Sequence, residues 1–333
     1  MKLKLIYGEK MKKILWSLMD DRRGSVGQAL GIIDALNKNN VEVIEKKIEY
    51  TKLACLPNCI RGKGLLGVTN NSKKDIIQPY PDYVISISRR TVPIARYIKK
   101  ISPKTKLIQL MHPGICGLKE FDLVVVPEHD KNKVFYKNIH YITGCPHRVT
   151  KDYLDAAKSR WEKEFSHLPK PLTAVIVGGA IKNKPFSKEN ALSLGAAIKE
   201  LKNKIGGSIL ITTSRRTGLE AQNIIMEQIK DIPQYTFLWG EQKENPYSGF
   251  LACADNIIVT ADSVSMSCEA TGTGKPIYLF TGKNWLTPKH IRFAKSLCEK
   301  ECAILLEDKN SANFTPKTSL NSAKEIALLI EKL

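Results

Sequence analysis

Long apolar runs are missing from this sequence. No stretch of its 333 residues approaches the roughly 20 apolar residues that span a bilayer, and the run from Ile14 to Met19 is too short for a secretory signal before it stops at Asp20-Asp21. Acidic residues are scarce: 33 Asp+Glu face 52 Lys+Arg, a formal charge of +19. That balance favours an anionic partner such as a nucleotide, a nucleic acid or an acidic membrane surface, although a lysine-rich proteome would produce the same excess. Aromatic residues make up only 7% and few are interleaved with the basic ones, which are spread along the chain, so no dedicated nucleic-acid surface is indicated. The eight cysteines lack pattern. Cys55 with Cys59 and Cys298 with Cys302 have no His partners at metal-ligand spacing, so neither a zinc site nor a disulfide framework follows, and reduced thiols in the cytoplasm are the expectation.

What is present is an alternation of short β-branched runs with helical periodicity, the pattern of an α/β fold with parallel sheets. The length suits two domains. The rigid Pro169-Lys170-Pro171 sets the boundary, giving an N-terminal domain over 1–168 and a C-terminal domain over 169–333, whose last helix can pack back on the first. The ten residues before Met11 read as an extension ahead of the first strand. Residues 51–75 lose periodicity and carry Pro57, Gly62, Gly64, Gly67 and several lysines; they read as a mobile basic loop able to dock on an anionic membrane.

The most informative stretch runs from Ala254 to Phe280. Asn256 to Thr260 is predicted as a buried strand, Ser263 or Ser265 caps a helix reaching about Thr271, and Ile277 to Phe280 is the next strand. A helix tip with serines suits a phosphate. Glu269 lies four residues after Ser265, on the same helix face and about 6 Å along the axis, where a carboxylate could accept two ribose hydroxyls. A capped helix carrying a solvated Glu is the plain alternative.

Other strand ends carry chemistry of the same kind. After Lys13 to Leu18 comes a polar turn with Asp20 and Arg23 and a helix from Gln28 to about Asn37; it lacks the three-glycine dinucleotide fingerprint but could meet an acceptor or phosphate. Ser88-Arg89-Arg90-Thr91 and Ser214-Arg215-Arg216-Thr217 repeat one motif in the same context, and the arginine forks suit phosphate or carboxylate. Gly178 and Gly179 let backbone approach a bound group. His112, Glu128, Asp130 and His147 fall just beyond strand ends, where acid/base groups are expected, and their spacing is not that of a metal site.

These words together resemble a known family. PDYVISISRRTVPIAR, FDLVVVPEHD, TGCPHRVT, GGSILITTSRRT and ADNIIVTADSVSMSCEATGTGKP, with the Asp20 to Leu30 turn and helix, are similar along nearly the whole chain to the mitochondrial-fission "elongated mitochondria" family, whose bacterial members are described as glycosyltransferases. In that turn Asp21 stands where relatives commonly have glycine, and Gly27 where they have Asn. The resemblance implies a GT-B-like fold, two Rossmann-like domains facing across a cleft, and a metal-independent enzyme without cofactor. Its substrate would be a nucleotide sugar and its acceptor an envelope polysaccharide or lipid-linked molecule, at the inner face of the membrane. On the donor side it implies Gly178 and Gly179 near the diphosphate, Ser214, Arg215 and Arg216 neutralising it, Ser263 and Ser265 at the helix tip and Glu269 on the ribose. On the acceptor side it leaves Asp20, Arg23, Gln28, Arg89 and Arg90, with a base among His112, Glu128, Asp130 and His147. The alternatives are a non-catalytic scaffold that keeps a nucleotide site, as the plant relatives' link to organelle fission suggests, and a nucleotide-sugar epimerase.

Overall fold

The computed structural model describes residues 12–114, 117–131 and 136–333; the predicted N-terminal extension lies outside them. Two compact units emerge. The first holds the chain up to Pro127, Lys131–Ile142 and Ser322–Leu333; the second holds Glu128–Asp130 and Thr143–Asn321.

In the first unit the strands are β1 (Lys13–Met19), β2 (Val41–Lys47), β3 (Tyr83–Ile87), β4 (Lys106–Leu110), β5 (Leu123–Pro127) and β6 (Ile139–Ile142). They form one parallel sheet in the order β2-β1-β3-β4-β5-β6. The period-two alternation of the strands sorts their side chains onto two faces. Leu15, Ile85, Ile108 and Val125 join one core, and Trp16, Leu18, Val84, Leu107 and Val124 the other. The helices are α1 (Arg23–Ala35), the short α2 (Asn58–Arg61) and α3 (Asn70–Lys74), and α4 (Val92–Ile101). α1 starts five residues earlier than its periodicity predicts, because Ser25 and Ala29 are buried along with Ile32. The first core is completed by Ile326, Ala327 and Ile330 of α11 (Ala323–Glu331), whose Glu331 carboxylate accepts from the Asn37 amide at 3.1 Å.

Residues 51–75 are not a mobile loop. They form a 3-10 turn (Lys52–Cys55), α2 and α3, and they are held from beneath by Ala54 and Val68, both buried. Arg61, only 3% exposed, donates to the carbonyls of Leu66 (2.9 Å) and Arg90 (3.1 Å). Gly67, at φ +86°, packs against the Ala54 backbone, where a Cβ would sit 2.6 Å from the amide nitrogen. Buried polar pairings across 30 residues replace the periodicity that the sequence lacks there.

The second unit contains α5 (Lys151–Phe165), β7 (Leu172–Val177), α6 (Lys188–Ile205), β8 (Ser208–Thr213), α7 (Leu219–Ile229), β9 (Gln234–Phe237) and α8 (Tyr247–Cys253). After them come β10 (Asn256–Thr260), α9 (Val264–Thr271), β11 (Ile277–Phe280), α10 (Pro288–Glu299) and the two-residue β12 (Ile304–Leu305). Its parallel sheet runs β12-β11-β10-β7-β8-β9. Read from β9, this is the 3-2-1-4-5-6 order of a dinucleotide-binding sheet, with the switch point between β7 and β10. The sequence boundary puts α5 in the first domain. In the structure Trp161 and Phe165 of α5 pack instead into the second unit's core, Phe165 against Phe250 and Tyr235 with ring centroids 5.6 and 5.0 Å apart. Each unit is thus the Rossmann-like half expected of a GT-B-like chain. No helix among the described residues is long and apolar enough to cross a membrane.

Candidate functional site

Open parallel sheets take ligands outside the carboxyl ends of their strands, at the switch point. In the second unit that place is bounded by Gly178-Gly179 after β7, Ser214 to Thr217 after β8, and Ala261 to Ser263 leading into α9. The glycines serve the protein's own framework. The Gly178 amide donates to Thr260 Oγ1 (2.7 Å) and the Gly179 amide to Asp262 Oδ2 (2.9 Å). A Cβ on Gly178 would lie 2.2 Å from the Asp262 carboxylate, and one on Gly179, at φ +150°, 2.1 Å from the Arg216 backbone. Trp285 Nε1 donates to the Gly179 carbonyl at 3.1 Å and fixes the turn from the other side.

Asp262 is the centre of this framework, and sequence reading passed it over. Its side chain is fully buried, which pushes its carboxyl above the usual range, while Arg216 Nη1 at 2.8 Å opposes the shift. Arg216 also donates to the Ala180 carbonyl (3.0 Å), and its half-exposed side chain is thereby oriented by two partners; Arg215 is exposed. Ser214 Oγ donates to the Gly178 carbonyl at 2.6 Å.

The first unit builds its arginine turn in the same way. Ser88 donates to Asp20 Oδ2 (2.7 Å), the Arg90 amide donates to Ser88 Oγ (3.3 Å), and the Arg90 guanidinium pairs with both Asp20 and Asp21. Stacking over the Tyr50 ring at 4.4 Å completes its enclosure. Arg89 turns to the carbonyls of Leu56 (2.8 Å), Cys55 (3.3 Å) and Ala54 (3.4 Å). In both Ser-Arg-Arg-Thr turns, then, the second arginine neutralises a buried aspartate that follows another strand of the same sheet. Gln28 is half-buried on α1, Arg23 begins that helix, and the Arg23 side chain lies outside the described residues.

At the tip of α9, Ser263 occupies the N-cap position without a side-chain cap bond, and Ser263 and Ser265 are both half-buried. The first-turn amides of a helix have no intrahelical acceptor. One turn further, Glu269 Oε2 accepts from the Tyr247 hydroxyl at 2.5 Å. Burial raises the Glu269 carboxyl above its ordinary value and the Tyr247 bond counters it; burial and Glu269 together push the Tyr247 phenol well up. Tyr247 was invisible as a site residue because its pairing spans 22 positions.

The proton-transfer candidates separate. His147 is 3% exposed; its Nδ1 accepts from the Val149 amide (3.2 Å), so Nε2 carries the proton donated to the Leu320 carbonyl (2.8 Å). Neither nitrogen is left to take a proton from a substrate, and the ring is a packing element against Gly272. His112 Nδ1 accepts from the Gly114 amide at 3.1 Å. Glu128 is exposed and accepts from Thr143 Oγ1 (3.1 Å); Asp130 pairs with Lys289 at 2.6 Å. A residue not anticipated joins the second unit's site: His290 at the start of α10, with Nδ1 2.7 Å from Thr287 Oγ1 and the ring bonded to the Asp262 main chain. Burial, Lys289 and Arg216 hold it below the ordinary histidine range.

His129, between the two acids, is 6% exposed and packs with its ring centroid 4.9 Å from that of Phe293, tilted by 59°; burial holds it down to about 4. The folded protein therefore binds fewer protons than the unfolded chain, whose histidine titrates near 6.5. Stability is full above pH 6.5 and falls as pH drops towards 4. Between pH 7 and 5 this group is expected to remove up to about 2 kcal/mol. Denaturant melts at the two pH values should show that difference shrinking by at least half in His129→Asn; an unchanged difference would assign the loss to other groups.

The profile of the family described as Mitochondrial fission ELM1 matches residues 23–333, and the protein belongs to that family. The uncharacterized protein RP120 of Rickettsia prowazekii (strain Madrid E) is 30% identical, with 95% of this chain and 97% of that protein aligned. Among solved structures, MurG of Acinetobacter baumannii superimposes with a TM-score of 0.56 at 14% identity, covering 96% of this chain and all of that one. The UDP-GlcNAc 2-epimerase of Neisseria meningitidis, solved bound to UDP-GlcNAc, gives 0.55 at 14% identity over 97% of this chain and all of that one. At such identities the likeness is one of fold.

Proposed function

We propose that the protein is a glycosyltransferase that takes a nucleotide sugar in its second unit and transfers the sugar to an envelope polysaccharide or lipid-linked acceptor. The observation that carries this reading is the α9 tip: two serine hydroxyls and the first-turn amides stand above a half-buried Glu269 whose Oε2 is already oriented by Tyr247. A diphosphate at the tip and a ribose one turn below match that spacing. The structurally similar epimerase crystallised with UDP-GlcNAc supports a nucleotide-sugar ligand for this fold. Departing diphosphate would be stabilised by the helix dipole and the exposed Arg215, in a frame stiffened by Asp262 and Arg216. Glu128, Asp130 or His112 would take the acceptor's proton, and no cofactor enters the step. An anionic membrane surface would hold a lipid-linked acceptor.

Glu269→Ala is expected to weaken donor binding by about 1–3 kcal/mol, since a buried carboxylate that accepts ribose hydroxyls is lost. Thermal shift with a panel of nucleoside diphosphates and nucleotide sugars reads this directly, because ligand at about 100 times its dissociation constant adds roughly 2.7 kcal/mol. Equal affinity in wild type and variant would sink the donor assignment. An epimerase remains the second reading, favoured by the similar fold of the Neisseria enzyme. It needs no acceptor, so conversion of the nucleotide sugar by the protein alone distinguishes it. No shift with any nucleotide would favour a non-catalytic scaffold.

A further inference from the structure

At the β11-β12 edge of the second unit, α10 and the strand ends line an open groove of about 750 Å³, and Ser263, Ser265 and Glu269 are not among its lining residues. That volume lies within the range of small-molecule sites. Its floor is apolar, formed in part by Ala294, and Ile291 (54% exposed) and Leu305 (39% exposed) stand at its sides. An apolar side chain left this open on a two-residue edge strand and on a neighbouring helix is a surface awaiting cover. The charged groups around it are mostly of one sign. Lys184 and Lys295 line the groove, while its one acidic lining residue, Asp308, already accepts from the Asn310 amide at 2.8 Å. Lys295 reaches Glu299 only at 3.6 Å, with both side chains exposed, so the ammonium is available to an incoming anion.

We propose that this groove binds a single-chain anionic amphiphile, with its hydrocarbon along Ile291, Ala294 and Leu305 and its phosphate or carboxylate head between Lys184 and Lys295. A fully apolar ligand would leave both lysines unused, and an amphipathic cationic peptide would meet them with like charge. The proposal does not rest on the nucleotide reading: none of Ser263, Ser265 and Glu269 lines the groove, although Trp285 at its wall bonds the Gly179 carbonyl.

The test uses the full chain and monomeric monododecyl phosphate below its micellar concentration, read by displacement of cis-parinaric acid. Saturable one-to-one binding is expected. Ile291→Glu, an exposed position that tolerates charge, should weaken it at least tenfold. Lys184→Glu with Lys295→Glu should weaken monododecyl phosphate at least tenfold but neutral dodecyl maltoside by less than threefold. Cys298, on the groove wall, supplies a reading that needs no variant: its alkylation by N-ethylmaleimide, resolved by peptide mapping, should slow at least fivefold with ligand while exposed Cys55 and Cys59 are unaffected. Unsaturable binding, equal binding by the folded Ile291→Glu protein, or an unprotected Cys298 would overturn the proposal. So would a result in which the variants change only sedimentation with phosphatidylglycerol vesicles, since the face would then dock on a membrane. Nucleotide-induced thermal shifts should be the same in all these variants, which separates failure here from failure of the donor site.

Discussion

Gly179→Ala is expected to destabilise the second unit by about 3–5 kcal/mol. Two costs combine: alanine is strained at φ +150°, and its Cβ would fall 2.1 Å from the Arg216 carbonyl carbon and oxygen, which are backbone atoms that cannot rotate away. For a unit of this size the thermal midpoint should drop by about 10 °C. Gly206 is the matching control. It has φ +68° and ψ −165° with open space around its missing Cβ, so Gly206→Ala bears the backbone cost alone, about 1–3 kcal/mol, and should lose less than Gly179→Ala. Equal losses in the two variants, measured by denaturant unfolding, would mean that the β7 and β8 turns are not held in contact and that the Asp262 framework is looser than described. The same turn carries the Gly179 amide to Asp262 and the Gly179 carbonyl to Trp285, so both bonds should be lost with it.

The second large effect concerns Arg90. Arg90→Met removes the guanidinium and leaves Asp20, whose side chain is fully buried, with Ser88 and the Asp21 amide as its remaining partners. Stranding a buried carboxylate costs about 3–5 kcal/mol. Converting the aspartate as well, in Arg90→Met with Asp20→Asn, should return at least half of the loss, because a neutral amide no longer needs a counter-charge. A double-mutant cycle from urea melts gives the coupling directly. A single-variant cost under 1 kcal/mol would instead free Arg90 for a ligand.

These two cases show where the sequence was legible and where it was not. Strand ends, the Ser-Arg-Arg-Thr repeats and the α9 helix follow from local periodicity and turn chemistry, which act within ten residues. The roles of the arginines do not, because Arg90 finds Asp20 across 70 positions and Arg216 finds Asp262 across 46. Two forks expected to meet a ligand each also pair with a buried aspartate of the same sheet. The place of Glu269 on the α9 face of Ser265 follows from its spacing, but Tyr247, which orients it, comes from a different helix. Residues 51–75 looked unstructured for the same reason, since Arg61, Asn58 and Arg89 hold them through backbone carbonyls that no composition rule registers. His290 carried a faint signal, a histidine in the first turn of a helix that opens Thr-Pro-Lys, and only its contact with Asp262 gives that signal meaning.

The first unit is discontinuous, and this has a consequence for synthesis. Its core takes Ile326, Ala327 and Ile330 from α11, which the ribosome delivers only after every residue of the second unit has been made. Domains usually fold in the order in which they emerge. Here the core of the earlier unit lacks Ile326, Ala327 and Ile330 while the later one can close, so the α1 surface against which α11 packs stays open until the last helix is made.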